Sequence, residues 1–280
     1  MEFGRVSTEE AERFREDGIL LKRGYFDEEE MALVNRAVAR DESLEQNMVQ
    51  IPDPEWGRTE LVVWNHPGDD LFGAIARCAR IVSAMELLLG GEVYHYHSKL
   101  IAKQPRTGGG FHWHQDFGYW YENGILFPDL ASVMIAVDRM TVENGCLQVL
   151  KGSHRLGRVT HIDVGGQKSV DPERLEEAMK VLEHVHCELE PGDCLFTHCN
   201  TLHASAPNES DKPRTALLCC YNAARNDPFR AHHHASYTPL ETLPDEAVKE
   251  RGHLLQGAQR AYLTADSVKT HEVRSGKPAS

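Results

Sequence analysis

From residue 92 onward the chain is divided into short apolar segments, and this pattern constrains its fold more than any other feature. Glycine, proline, asparagine and aspartate separate the segments, and several of them alternate apolar and polar residues as half-buried strands do. A series of such short strands is typical of a sandwich or a jelly-roll barrel. We therefore predict a mainly β protein built on a double-stranded β-helix. The segments are VYHYHSKLIAK, ASVMIAVDRM, CLQVLKG, HVHCELE, DCLFTHC and ALLCCYNA.

The residues before this region carry helix signals. Ser7 and Glu10 fit a capping box, and Gly18 fits the end of the helix that follows. Asp27 is expected to open a second helix that runs to about Arg40. The sequence predicts a further helix over 72–89. Because proline, glycine and aspartate are frequent over 53–70, it predicts a loop there, with one apolar island at Leu61–Trp64.

The chain shows no internal repeat and no linker, so we expect one domain. We predict a mostly helical support layer over 1–91, a jelly-roll core over 92–225 and a C-terminal extension over 226–280. A helical layer packed on a β core is a common way to bury both surfaces.

The charge balance argues against two classes of partner. The 280 residues include 30 lysines and arginines against 43 aspartates and glutamates, which gives a net charge of −13. Nucleic acids and anionic membranes attract basic surfaces instead, and no apolar run approaches the roughly 20 residues of a membrane span. The seven cysteines form no C-x-x-C pair and are expected to be free thiols. We expect a cytoplasmic monomer or homodimer that acts on a small molecule.

A candidate metal site lies after the first strand of the β region. In an extended strand His114 and Asp116 face the same way, so an imidazole and a carboxylate can reach one ion. They supply two thirds of the facial triad that binds Fe(II) and leaves three coordination positions open. His203 is the best candidate for the third ligand. His112 has the same parity as His114 and is the alternative ligand to it. We expect His112 to contact the ligand residues rather than the metal.

Candidate anion-binding residues accompany these ligands. Arg214 follows His203 by 11 residues and can clamp a carboxylate through its planar guanidinium; the alternative is a structural pair with Asp211. Lys103 can pair with a carboxylate or cover apolar surface at a strand end. His97 lies on a candidate strand, where it is either a core residue or a ligand contact.

The ordered motifs resemble the phytanoyl-CoA dioxygenase-like branch of the Fe(II)/2-oxoglutarate oxygenases, which includes ectoine hydroxylase. One segment, Phe111-x-Trp113-His114-x-Asp116-Phe117-x-x-Trp120, is similar to the ectoine hydroxylase pattern in particular. The other matching motifs are Phe14-Arg-Glu-Asp-Gly18, Lys103-Gln-Pro105, Thr141-Val-Glu143-Asn144-Gly145-Cys146, Gly152-Ser153-His154, His203-x-Ser205-x-x-Asn208 and Arg214.

The resemblance implies a cupin-like fold, iron(II), 2-oxoglutarate and O2. His114, Asp116 and His203 would then hold the iron, and Arg214 would pair with the distal carboxylate of 2-oxoglutarate. Met134 stands where several relatives carry tryptophan, and His97 stands where ectoine hydroxylase has glutamine. The candidates for further co-substrate contacts are Lys99, Lys103, Ser132 and Ser205, and those for substrate contacts are Phe111, Trp113, Trp120 and His97.

The sequence leaves three other functions open. An acyl-CoA hydroxylase of the same family would need a basic groove, and the β region shows no lysine or arginine cluster. A zinc-dependent hydrolase would leave Arg214 without a role, and a non-catalytic jelly-roll binding protein would not need the ligand set. We favour hydroxylation of an aliphatic C–H in a small polar metabolite or natural-product intermediate. An aromatic pocket, able to hold a cation, could come from Trp64, Trp113, Tyr119, Trp120 and Tyr121.

Overall fold

Two antiparallel sheets form the centre of the protein. The computed structural model describes residues 4–53, 55–254 and 260–264, and its strands are β1 (Ile19–Lys22), β2 (Val49–Asp53), β3 (Gly57–Trp64), β4 (Val93–Lys103), β5 (Phe111–His114), β6 (Leu130–Ala136), β7 (Leu147–Leu150), β8 (His161–Val164), β9 (Gln167–Val170), β10 (His184–Cys187), β11 (Cys194–His198), β12 (His203–Ser205) and β13 (Arg214–Ala223). The larger sheet has the order β1-β11-β6-β13-β4-β3-β2, and the smaller one has the order β10-β7-β12-β5. Strands β8 and β9 form a separate hairpin. The predicted double-stranded β-helix is confirmed.

One apolar cluster fills the space between the two sheets. It joins Ile101 of β4 and Leu218 of β13 in the large sheet to Val149 of β7 in the small sheet. Burial of apolar surface on both inner faces is the main stabilising term of such a sandwich. The site described below opens into this space.

Helices cover the outer face of the large sheet. The helices of the described ranges are α1 (Thr8–Asp17), α2 (Glu28–Arg40), α3 (Glu42–Gln46), α4 (Leu71–Arg77), α5 (Ala79–Leu89), α6 (Asp116–Trp120), α7 (Pro172–Val181) and α8 (Ala247–Leu254). Of these, α6 lies at the cleft described below and α7 packs beside β9, away from that outer face. A second apolar cluster packs α1, α2, α4 and α5 against the sheet through residues such as Phe14, Val34 and Ile81. None of the helices within the described ranges has the length and apolar character of a membrane span.

The capping signals locate the first two helices correctly. Ser7 and Glu10 form the capping box of α1, and Gly18 ends that helix in the left-handed conformation at φ 75°. Asp27 caps α2. Because these signals act within one turn of the chain, they are legible without tertiary information.

Two sequence predictions for the first 91 residues are wrong. The stretch 53–70 contains β3, which pairs with β4 along Glu60–Trp64, so it is not simply a loop. The helix predicted over 72–89 is two helices, because Cys78 is extended between them and forms a bridge with Leu243. In both cases the deciding contact comes from a distant segment.

Candidate active site

Three potential metal ligands converge between the sheets. His114 ends β5 and is the cross-strand partner of His203, which begins β12. Asp116 is the first residue of α6 rather than part of a strand, so the prediction of an extended strand through it is wrong. The helix start nevertheless turns its carboxylate toward the histidines, and donor atoms of the three residues lie within 4.8 Å of one another.

Backbone carbonyls orient both imidazoles. Nδ1 of His114 lies 2.7 Å from the carbonyl of His112, and Nδ1 of His203 lies 2.9 Å from the carbonyl of Thr201. Each Nδ1 therefore donates its hydrogen to a carbonyl, which leaves Nε2 as the free metal-binding nitrogen. Nε2 of His203 is 3.9 Å from Oδ1 of Asp116. His112 thus orients the His114 ring through its backbone carbonyl.

The protonation states suit metal binding. Burial, with the neighbouring His203, lowers the pKa of the His114 imidazole well below its ordinary value, so the ring is neutral. Burial raises the pKa of the Asp116 carboxyl, but Lys99, His203 and His114 together outweigh burial and hold that pKa below its usual value. A neutral imidazole and an ionised carboxylate are the forms that bind a metal.

The three residues lie where two lobes of one cleft meet. We call one the arginine lobe; it contains Arg214, Ser205, Thr197 and Met134, and it encloses about 550 Å³. The other, the Trp120 lobe, contains Trp120, Tyr119, His97 and His234 and encloses about 610 Å³. Both are lined by Lys99, Ile101, Phe111, His114 and Asp116. A concave site lined by apolar and aromatic side chains with a few polar groups is typical of small-molecule binding.

Arg214 has an unsatisfied guanidinium. Its side chain is buried, and Nε and Nη2 have no hydrogen-bond partner among the described residues. Burial lowers its pKa to about 10, so it stays charged at neutral pH. Asp211, the alternative partner, pairs instead with Arg106 at 2.8 Å. Because a buried charge without a partner is costly, this lobe is suited to binding an anion.

The other predicted co-substrate residues divide into two groups. Lys99 and Ser205 line the arginine lobe. The ammonium of Lys103 donates hydrogen bonds to Ser205 Oγ at 2.7 Å and to the Ala206 carbonyl at 2.5 Å. The hydroxyl of Ser132 donates to Oδ2 of Asp116 at 3.4 Å. Neither Lys103 nor Ser132 lines either lobe, so both hold protein groups instead.

The predicted substrate residues are mostly brought together. Phe111, Trp120 and His97 line the Trp120 lobe. Trp113 is the exception, because its indole packs beside His184, with ring centroids 5.4 Å apart, and against the cluster around Leu150. The prediction that Trp113 contacts the substrate is therefore wrong for the lining of the two described lobes.

The aromatic pocket is smaller than the sequence suggests. Trp64 is fully buried in the core beside Phe72, with ring centroids 5.9 Å apart, and Tyr121 lines neither lobe. Tyr119 and Trp120 alone of the five aromatic candidates line the Trp120 lobe.

Two residues of the C-terminal part contribute to this lobe: the sequence leaves open whether one of His232, His233 and His234 lines the site, and it gives no sign of Leu263. His234 stacks on His97, with ring centroids 4.6 Å apart and planes inclined by 22°. Leu263 also lines the lobe, because its amide donates a hydrogen bond to the Val63 carbonyl at 2.9 Å and so fixes this segment beside β3. The run His232-His233-His234 was a visible signal, but nothing local indicates which imidazole faces inward.

The fold and the site define a class. A double-stranded β-helix that presents two histidines and one carboxylate, with an unsatisfied arginine in the same cleft, fits a non-haem iron oxygenase that uses an oxo-acid co-substrate. Residues 14–216 match the phytanoyl-CoA dioxygenase (PhyH) family, and the chain belongs to that family. It is an iron(II)- and 2-oxoglutarate-dependent dioxygenase.

Characterised relatives cover much of the chain. An L-proline trans-4-hydroxylase from Streptomyces griseoviridis is 31% identical over 179 residues, which are 58% of this chain and 67% of the relative. An ectoine dioxygenase from Sphingopyxis alaskensis is 27% identical over 243 residues, or 79% of this chain and 77% of the relative. Among solved structures, EctD from S. alaskensis with 2-oxoglutarate and 5-hydroxyectoine has a TM-score of 0.71 at 23% identity, covering 87% of this chain and 89% of that one. At that identity the likeness supports the fold.

Proposed function

We propose that His114, Asp116 and His203 hold the iron(II), and that Arg214 binds the distal carboxylate of 2-oxoglutarate in the arginine lobe. One observation carries the proposal: the unpartnered guanidinium of Arg214 shares a lobe with all three potential ligands. When bound, iron with 2-oxoglutarate and O2 supplies an oxidant strong enough to hydroxylate an aliphatic C–H, with release of succinate and CO2.

The residues of the chain contribute binding and orientation. The carbonyls of His112 and Thr201 hold the imidazoles in the ligand tautomer. Arg214 fixes one end of the co-substrate through its planar fork. Apolar side chains such as Ile101 and Leu218 surround that end and exclude water.

The Trp120 lobe is proposed to hold the organic substrate beside the metal. Relatives named for L-proline and for ectoine make these two compounds the first to test. A small molecule fits better than an acyl-CoA, because Lys99 is the single lysine or arginine among the described residues that line this lobe. The chain is proposed to act as one dioxygenase domain, as a cytoplasmic monomer or homodimer.

The test is iron-dependent conversion of 2-oxoglutarate to succinate. We expect wild type to bind one Fe(II) and to release succinate, and His203→Ala and Asp116→Ala to lose both bound iron and turnover. His184→Ala is the matched control, because His184 lies on β10 of the same sheet, outside the ligand group. Unchanged iron content in His203→Ala would reject His203 as a ligand, and iron-independent hydrolysis without succinate would favour a zinc hydrolase.

A further inference from the structure

Lys99 is a mostly buried cation at the junction of the two lobes. Its side chain is 19% exposed, and its ammonium lies 4.0 Å from Oδ1 of Asp116. That distance is too long for a hydrogen bond, and the described residues offer Lys99 Nζ no other acceptor within hydrogen-bonding range. An ammonium has three donors, so Lys99 can donate to a ligand in the cleft without giving up a hydrogen bond to a described residue.

The charges of the proposed complex leave this cation unbalanced. Among the described side chains that line either lobe, the acidic and basic ones other than histidine are Lys99, Asp116 and Arg214. The two positive charges of iron(II) and the one of Arg214 equal the negative charges of Asp116 and dianionic 2-oxoglutarate. The ammonium of Lys99 then remains as one net positive charge in a low-dielectric cleft, where a counter-charge is strongly favoured.

The other nearby lysine cannot take this role. Lys103 donates to Ser205 and to the Ala206 carbonyl and lies outside both lobes. The Trp120 lobe contains no acidic side chain besides Asp116 among its described lining residues, so it offers Lys99 no anion other than the carboxylate proposed to hold the iron. It equally offers none for a cationic substrate.

We infer that Lys99 binds a carboxylate of the organic substrate, so that the enzyme acts on a small carboxylic acid. The inference rests on the proposed function above. A carboxylate held by Lys99 places the adjoining carbon skeleton in the Trp120 lobe, against Phe111 and Trp120. Lys99 would thereby determine which molecules bind and which end of each molecule faces the arginine lobe.

A matched pair of probes tests the charge alone. Cyclopentanecarboxylate and cyclopentanecarboxamide have the same shape and differ in the anionic group. Each is titrated by calorimetry into the full chain loaded with Co(II) and 2-oxoglutarate under argon, after the binding of Co(II) and of 2-oxoglutarate has itself been measured. We compare wild type with Lys99→Met and Lys99→Arg, and use Lys151→Met as control, because Lys151 pairs with Asp17 away from the cleft.

In wild type the acid should bind about 10- to 100-fold more tightly than the amide, as expected for a charged hydrogen bond. Lys99→Met should lose this difference, Lys99→Arg should keep most of it, and Lys151→Met should keep all of it. The affinity for 2-oxoglutarate should change by less than about threefold in Lys99→Met, since the inference gives Lys99 no part in co-substrate binding.

Four results of the probe titrations would overturn the inference. They are equal binding of acid and amide, no binding of the acid, a preference that survives in Lys99→Met, and displacement of 2-oxoglutarate by the acid, which would place the acid at Arg214. If Lys99→Met weakens 2-oxoglutarate binding as much as acid binding, Lys99 serves the co-substrate instead. Failure of Co(II) and 2-oxoglutarate to bind would reject the proposed function and this inference with it, whereas their normal binding with a failed probe rejects the inference alone.

Discussion

The side-chain nitrogen of Gln115 donates a 2.7 Å hydrogen bond to the carbonyl of Asn200. Gln115 stands between the two ligand candidates of the first motif, and Asn200 precedes His203 by three residues, so this bond joins both segments that carry the site. The same nitrogen donates to the Gly157 carbonyl at 2.8 Å, and Oε1 accepts from the Val159 amide at 2.8 Å. A fully buried amide thus fixes three backbone segments relative to one another.

Replacing Gln115 should therefore weaken metal binding. Gln115→Met keeps the length of the side chain but leaves three backbone groups without a partner. We expect the dissociation constant for Co(II) to rise by about 10- to 100-fold, as is usual when groups that orient metal ligands are lost. Equilibrium dialysis of the purified protein measures this directly.

Asn226→Leu is the control for a general loss of stability. Asn226 also bridges a backbone amide and a carbonyl, both of Phe127, at 3.1 and 2.7 Å, and it lines neither lobe. It should lower the melting temperature without changing metal affinity. An equal loss of metal affinity in both variants would show that Gln115 acts only through overall stability.

The parts of the fold that were predictable depend on local signals. The capping box of α1 acts within four residues, and the apolar run of β13 marks a strand that is buried on both faces. Strand β3 was not predictable, because Leu61–Trp64 becomes a strand only by pairing with β4 some 40 residues later. The residues of β3 alone therefore do not indicate that the strand forms or in which register it pairs with β4.

The same distinction applies to the site. The residue types and their spacing along the chain were enough to predict the candidate site residues, which are His114, Asp116, His203 and Arg214. His234 reaches the Trp120 lobe only because the chain after β13 returns to it, and periodicity cannot report such a path. The sequence also does not show that the ammonium of Lys103 already donates a hydrogen bond to Ser205.

Lys103 is predicted to matter for stability more than for co-substrate binding. Burial lowers the pKa of its ammonium well below the ordinary value, and its hydrogen bonds tie the chain after His203 to β4. Lys103→Met should lower the unfolding free energy by about 1–3 kcal/mol and leave the KM for 2-oxoglutarate within about threefold of wild type. If the KM of Lys103→Met for 2-oxoglutarate rose as much as that of an Arg214 variant, Lys103 would be a co-substrate contact, as the sequence predicts.

Two histidines, the buried His95 and the half-buried His198, should make the fold acid-sensitive. Burial lowers the pKa of both His95 and His198 to about 4, whereas an unfolded histidine titrates near 6.5. Between these values the unfolded chain binds more protons, so the unfolding free energy rises with pH up to about 6.5 and is constant above it, by at most about 1.4 kcal/mol per pH unit for each histidine.

Urea unfolding of the metal-free protein between pH 5 and 7.5, at constant ionic strength, measures this slope. His198→Asn removes one titrating group and keeps an acceptor for the Asn200 amide, which lies 3.1 Å from Nδ1 of His198. The slope in the variant should fall by about one proton. An unchanged slope would mean that His198 does not titrate differently in the two states.

Arg214 and Arg80 are both buried arginines, and they should respond oppositely to the same substitution. Arg80 donates to Glu30 Oε2 at 3.1 Å and to the Tyr25 carbonyl at 2.8 Å. Arg80→Met leaves Glu30 buried and unpaired, which should cost about 3–5 kcal/mol of stability. Arg214 has two nitrogens without a partner among the described residues. Its removal therefore takes away a desolvation cost that no hydrogen bond offsets in the free protein.

Arg214→Met should therefore leave the co-substrate-free protein as stable as wild type or more stable, while the KM for 2-oxoglutarate rises about 10- to 100-fold because a charged hydrogen bond is lost. The KM of Arg214→Lys for 2-oxoglutarate should lie between those of wild type and Arg214→Met, since lysine keeps the charge without the planar fork. Iron affinity should change little in both. Melting temperature and 2-oxoglutarate titration on the same preparations separate the effects: a lowered melting temperature with a normal KM would make Arg214 a structural residue like Arg80 and would remove the observation that carries the proposed function.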